Sequence, residues 1–329
     1  MTPGREVQER RPQGRESESF AGFSRRPESS ARSSWLLLVR GPAPDSIGGM
    51  QRRFRQVDVF NDGVGLGNPV AVVLDAEGLS TSEMRRFSVW SNLSECTFVL
   101  PPTTPEADYR VRIFSLNNEY PFAGHPTLGT ARAWLDAGGV PADATRVVQE
   151  CGAGLIAIRV EGDELAFRSP PCTRSGAVEP EILQAVIDIL GVEDEKIVDA
   201  AWVDNGPGWV GVLLDHADTV LSLRPDASGH PGRWDIGVVG AHDPGSDVDI
   251  EVRAFFTEGG EPLREDPVTG SLNGTFGEWL LATGRVTLPY VARQGTVMGR
   301  DGRVQVSLVD DAVWVGGRAD VVISGSAQV

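Results

Sequence analysis

One lysine, three cysteines and four histidines are scarce reagents for a chain of 329 residues, and each scarcity removes a class of chemistry. The lysine, Lys196, stands in the acidic run Glu193-Asp-Glu-Lys196 after a helix pattern. A Schiff-base lysine must be desolvated or set beside another cation, so pyridoxal phosphate is not expected. Cys96, Cys151 and Cys172 form no C-x-x-C pair and are too scattered for a disulfide framework. They read as small core residues of a protein kept in a reducing compartment, which points to the cytoplasm. His125, His216, His230 and His242 show no H-E-x-x-H or other metal spacing, so no metal is expected. G-x-S-x-G, a P-loop and G-x-G-x-x-G are all missing. No apolar run approaches the 18 residues of a membrane span. A formal net charge of −16 argues against nucleic acid and anionic membrane as partners, because phosphates need a basic face.

Residues 1–49 are rich in Arg, Ser, Glu, Pro and Gly and lack apolar periodicity. Such a segment cannot bury enough surface to offset its ordering entropy, so it is expected to be a disordered extension. Met50 directly precedes the first strand pattern and is a candidate start.

What the chain does have is the same unit twice. Asp108-Tyr-Arg-Val-Arg-Ile-Phe114 returns as Asp249-Ile-Glu-Val-Arg-Ala-Phe255, and Pro121 and Pro262 follow at the same distance. A glycine then opens a helical pattern in each copy, Gly124 in one and Gly270 in the other. G-T-x-x-x-W-L is shared by both patterns, and Gln149 and Gln294 fall at matching points beyond them. The period is far longer than the roughly 20–50 residues of a solenoid. It predicts two pseudo-symmetric lobes, about 50–172 and 173–329, with the final strand free to return to the first. A small-molecule site is expected in the cleft between them.

Each lobe reads as many short strands and two helices, an α+β duplication rather than a βαβ series. Ser80-Thr-Ser-Glu83 is a capping box opening a helix to about Ser91. The two repeat helices are predicted at Thr127–Ala137 and Leu272–Leu281. Residues 225–247 read as loop, and the last strand as Ala312–Val315.

Three places carry chemistry. Glu95 closes Asn92-Leu-Ser-Glu95 and enters the apolar strand Cys96–Leu100, where desolvation would tune a carboxyl for proton transfer. Gly124-His125 and Gly270-Ser271 hold equivalent helix starts. Two such termini facing one cleft would hold a carboxylate or a developing enolate; alternatively His125 and Ser271 merely cap their helices. Asp266 could orient an acid-base partner or bind a substrate hydroxyl, although Asp before Pro also opens turns.

The ordered set Val57-Asp-Val-Phe60, Gly67-Asn-Pro69, Asn92-Leu-Ser-Glu95, Pro121-Phe-Ala-Gly-His-Pro-Thr127, Glu265-Asp-Pro-Val-Thr-Gly-Ser271 and Arg293-Gln-Gly295 resembles the PhzF-like proteins named from phenazine biosynthesis. The resemblance covers about residues 50–329. It implies a diaminopimelate-epimerase-like fold, in which each lobe is a mixed sheet wrapped around a central helix, and a homodimer. It also implies roles. Glu95 would move a proton within a cyclic diene acid, with His125, Asp266 and Ser271 as the matching active-site residues and no cofactor or metal. The two thiols of diaminopimelate epimerase have no counterparts at the helix starts. Gly299-Arg-Asp-Gly302 lacks the Pro-Ser that often follows Gly-Arg in the family.

The expected function is therefore a cofactor-independent isomerase of a small carboxylate substrate. Glu95, His125 and Asp266 would be catalytic, and Gly124, Gly270 and Ser271 substrate-binding. The alternative is a silent family member acting as a binding protein; a thiol epimerase is opposed by the missing cysteines.

Overall fold

One strand order is used twice, and a last long strand joins the two uses. The computed structural model describes residues 50–116, 118–257 and 261–329. The expectation for residues 1–49 lies outside the described residues.

The first half contains β1 (Gln51–Val59), β2 (Asn68–Val73), α1 (Thr81–Ser91), β3 (Glu95–Leu100), β4 (Tyr109–Ser115), β5 (Asn118–Tyr120), α2 (Gly124–Asp136), β6 (Arg146–Cys151), β7 (Gly154–Glu161) and β8 (Glu164–Arg168). The second contains β9 (Arg174–Gly176), α3 (Pro180–Leu190), β10 (Ile197–Asp204), β11 (Val210–Leu214), α4 (Ala217–Ser222), β12 (Asp235–Ala241), β13 (Ile250–Phe256), β14 (Arg264–Asp266), α5 (Gly270–Ala282), β15 (Tyr290–Gln294), β16 (Gly302–Val309) and β17 (Ala312–Gln328). Antiparallel β1–β2 matches β10–β11, and parallel β2–β3 matches β11–β12. Parallel β4–β6 matches β13–β15. The clasp on each parallel pair is also repeated. Asp108 Oδ2 accepts from Val148 N at 2.7 Å, and Asp249 Oδ2 accepts from Val291 N at 2.7 Å.

β17 makes the two halves one sheet. It pairs with β16, with β8 through Trp314–Arg318, and with β1 from Ala319 to Gln328. In the first half this closes the circuit β1-β2-β3-β4-β6-β7-β8-β17, with the short β5 paired to β4 beside it.

One repeat helix packs within each half of this sheet. α2 buries His125, Thr127, Leu128, Gly129, Thr130, Ala131 and Ala133, and α5 buries Leu272, Asn273, Thr275, Phe276 and Leu280. A helix buried around so much of its girth needs small residues where strands approach. Its few hydroxyls need internal partners: Thr130 Oγ1 donates within the core, where Pro126 O at 2.7 Å and Thr97 Oγ1 at 2.8 Å both lie within reach.

Several boundaries correct the sequence reading. Both repeat helices start earlier than predicted, at Gly124 and Gly270, because the glycines are helical rather than preceding turns. The stretch read as loop contains β12, and β17 runs on to Gln328. The Ser80 capping box at the start of α1 is present, with the Ser80 side chain and Glu83 satisfying each other's backbone N–H groups.

Candidate active site

The starts of α2 and α5 meet. A Cβ built on Gly124 would lie 3.3 Å from Gly270 Cα and 2.7 Å from Phe167 Cζ, so no side chain fits there. A Cβ on Gly270 would lie 3.3 Å from the rings of both Phe167 and Phe60. The two residues preceding the helices, Ala123 and Thr269, make no side-chain capping bond to the first turns. Uncapped first-turn N–H groups backed by aromatic rings form a site suited to an anion.

Glu95 begins β3 beside this junction. Its Oε2 lies 3.4 Å from His125 Nε2, with side-chain exposures of 17% and 6%. Burial pushes the His125 imidazolium down to about 3, against a hydrogen bond with the Pro69 backbone that acts the other way. At neutral pH the contact is therefore carboxyl to neutral imidazole, not an ion pair. A neutral imidazole next to a carboxyl can exchange a proton with it without changing the net charge of the pair.

Asp266 ends β14 and faces the same junction from the second half. Although Asp266 keeps slight exposure, its carboxyl lies deep enough for desolvation to push it up to about 6, opposed by hydrogen bonds from Thr269 and Asn68. Asn68 links the two halves. Its Nδ2 donates to Asp266 Oδ1 at 3.0 Å and to Val268 O at 2.9 Å, and its Oδ1 accepts from Ser94 Oγ at 3.3 Å. His125 Nδ1 lies 3.4 Å from the same Nδ2. Because a carbonyl can only accept, Val268 fixes which end of the Asn68 amide carries the hydrogens.

The structure thus brings together Glu95, His125, Asp266, Gly124 and Gly270. Ser271 lies in the first turn of α5, where its carbonyl accepts from Asn205 Nδ2 at 3.2 Å. Sequence reasoning missed Asn68, Thr269, Asn205 and the hydrogen-bonding role of Gln294. The signals available were the matched spacing of Gln149 and Gln294 and the presence of Asn68, Thr269 and Gln294 within the family-like motifs. The three thiols stand elsewhere, and burial raises each, Cys96 to about 11 and Cys172 to about 12. Lys196 lies in a surface ion pair 2.8 Å from Asp215. Among the described residues, no group of three or more His, Cys, Asp or Glu side chains could hold a metal ion.

The family described as phenazine biosynthesis-like protein matches residues 57–325. The chain belongs to this PhzF-like family. "Antisense-enhancing sequence 1" of Schizosaccharomyces pombe is 34% identical over 302 residues, covering 85% of this chain and 99% of that protein. The trans-2,3-dihydro-3-hydroxyanthranilate isomerase of Pseudomonas fluorescens is 35% identical over 243 residues, covering 71% of this chain and 82% of the enzyme. The crystal structure of the Bacillus anthracis PhzF-family protein superposes with a TM-score of 0.72 at 24% identity, over 85% of this chain and all of that one. That likeness establishes a shared PhzF-like fold. No helix among the described residues is long and apolar enough to cross a membrane.

Proposed function

We propose that the protein is a cofactor-independent isomerase that moves a proton within a small unsaturated carboxylic acid. The observation that carries this reading is the Glu95–His125 pair, 3.4 Å apart at a junction of two uncapped helix starts. The substrate carboxylate would lie on the N–H groups at Gly124 and at Gly270-Ser271, where two helix dipoles converge. Glu95 would take a proton from one carbon, the electron pair would shift along the conjugated system, and the same carboxyl would return the proton at another carbon. No electron is gained or lost overall. His125 would support the carboxyl as a neutral partner, and Asp266 would bind a polar substituent such as a hydroxyl or an amine. The relative that isomerises trans-2,3-dihydro-3-hydroxyanthranilate makes cyclic diene acids with such substituents the first compounds to test. A cytoplasmic homodimer needing neither metal nor pyridoxal phosphate completes the proposal.

Glu95→Gln keeps size and polarity but cannot accept and return a proton. Turnover of the diene acid should fall by about 10²–10⁴-fold with little change in binding. Near-full turnover in a folded Glu95→Gln protein would remove Glu95 as proton carrier. The second reading, a silent binding protein, is favoured by the fission-yeast relative, whose name is not that of an enzyme. A wild-type protein that binds the diene acid and incorporates no solvent deuterium or product would decide for it.

A further inference from the structure

Gln294 ends β15 and is fully buried, and its amide hydrogen-bonds to the segment that carries Asp266 and to the first turn of α5. Its Oε1 accepts from Thr269 N at 3.0 Å and from Asn273 Nδ2 at 3.0 Å. Its Nε2 donates to Asp266 O at 3.1 Å and to Thr269 Oγ1 at 3.0 Å. A backbone N–H can only donate and a backbone carbonyl can only accept, so these two contacts forbid the flipped amide. The remaining Nε2 hydrogen must therefore point at Thr269 Oγ1. That hydroxyl, having accepted, has its single proton to give, and Asp266 Oδ2 lies 2.5 Å away.

We infer that Gln294 is a positioning residue that holds Asp266 as a carboxylate by fixing the direction of the Thr269 hydroxyl. Asp266 Oδ1 already receives Asn68 Nδ2, whose orientation Val268 O fixes in the same way. Donors aimed at both oxygens favour the charged form and oppose, in part, the burial that raises the carboxyl's proton affinity. The other groups around Asp266 are few. Glu265 on its own strand raises its proton affinity but is tied to Arg253 of β13 at 2.8 Å. From α2 comes His125, with Glu95 of β3 behind it. α5 and β15 reach it through the neutral Thr269 and Gln294. In the other half Gln149 Nε2 donates to Thr127 Oγ1 at 3.0 Å; Thr127 matches Asn273, and Ala123 stands where α5 has Thr269, so the glutamine-to-helix contact is repeated but the hydroxyl relay is not.

The inference rests on reading Asp266 as part of the isomerase site, and its test needs no substrate. The full chain carrying ¹³C-labelled aspartate would be titrated by NMR, the Asp266 signal being assigned by its loss in Asp266→Asn. Gln294→Met and Thr269→Val should each raise the Asp266 midpoint by about one pH unit. The double variant should raise it no further, because both act through one hydroxyl, and Thr269→Ser should keep the wild-type midpoint. If Gln294→Met does not fold, the near-isosteric Thr269→Val and its serine control carry the test. An unmoved midpoint in folded variants overturns the inference even if the enzyme is active. A midpoint that moves as stated in a protein that turns over no diene acid supports the inference and overturns the isomerase reading instead. In an active enzyme the acid limb of kcat/KM should move with the midpoint.

Discussion

His125 and Asp266 bind protons in opposite senses, and folding stability should record both. Burial holds the folded His125 near 3, against 6.5 for an ordinary histidine. Between those values the unfolded chain takes up a proton that the folded chain refuses, so this residue makes stability rise with pH. Asp266 is held near 6, against 3.8. Between 3.8 and 6 the folded chain keeps a proton that the unfolded chain has lost, so this residue makes stability fall as pH rises. In the wild type the two nearly cancel there. Asp266→Asn should unmask the histidine, giving a slope of stability against pH steeper than wild type by up to about 1.4 kcal/mol per unit. His125→Asn should change the slope by a similar amount in the opposite direction. Urea denaturation at about pH 4, 5 and 6 measures this, and equal slopes in all three proteins would show that neither group is perturbed as described. The two residues were legible in the sequence because a histidine and an acid at helix and turn starts stand out. The roles of Asn68, Thr269 and Gln294 were not, because neutral amides and hydroxyls mark a site only through partners distant in sequence.

At the scale of elements, glycine was the source of the misreadings. β12 reads Asp235-Ile-Gly-Val-Val-Gly-Ala241, and its glycines suggested a loop. A Cβ at Gly237 would lie 2.6 Å from Leu272 Cδ1 and 2.9 Å from Phe276 Cζ, so this glycine exists because α5 lies directly on the strand. Gly317 in β17 is similar, its Cβ position lying 2.8 Å from Arg303 O and 2.9 Å from Phe60 Cδ1. A punctuation residue and a packing residue look alike until the facing element is known. The capping box was readable because it is a local pattern, and the duplication because local patterns recur. Gly237→Ala should cost about 1–3 kcal/mol by overpacking. Because Leu272 belongs to the first turn of α5, the variant should also raise KM for a carboxylate substrate more than it lowers kcat. Gly229→Ala, whose methyl meets nothing within 4 Å, should change neither quantity. Comparable losses in both variants would mean that contact with α5 is not the reason for Gly237.

At the scale of the whole molecule, β17 is where fold and site depend on one another. Its second part supplies the partners of β1 from Ala319 opposite Val59 to Gln328 opposite Gln51. Just before it, Arg318 O accepts from Phe60 N at 2.7 Å, and Phe60 holds a left-handed conformation with φ of 60°. The ring so placed lies against Gly270 at the start of α5. Deleting residues 318–329 would expose an edge of β1, whose Val57 and Val59 are fully buried, and would release Phe60 from its backbone anchor. A loss of roughly 4 kcal/mol or more would lower Tm by about 8–16 °C for a chain of this size. Carboxylate binding should be lost as well, since one of the two helix starts loses its support. Deleting only residues 326–329 leaves Phe60 and most of the ladder in place and should shift Tm by no more than a few degrees. Calorimetry on the two truncations separates the cases. If the long truncation melts like the wild type and still binds the diene acid, β17 is an appendage, and the first half closes around α2 without it.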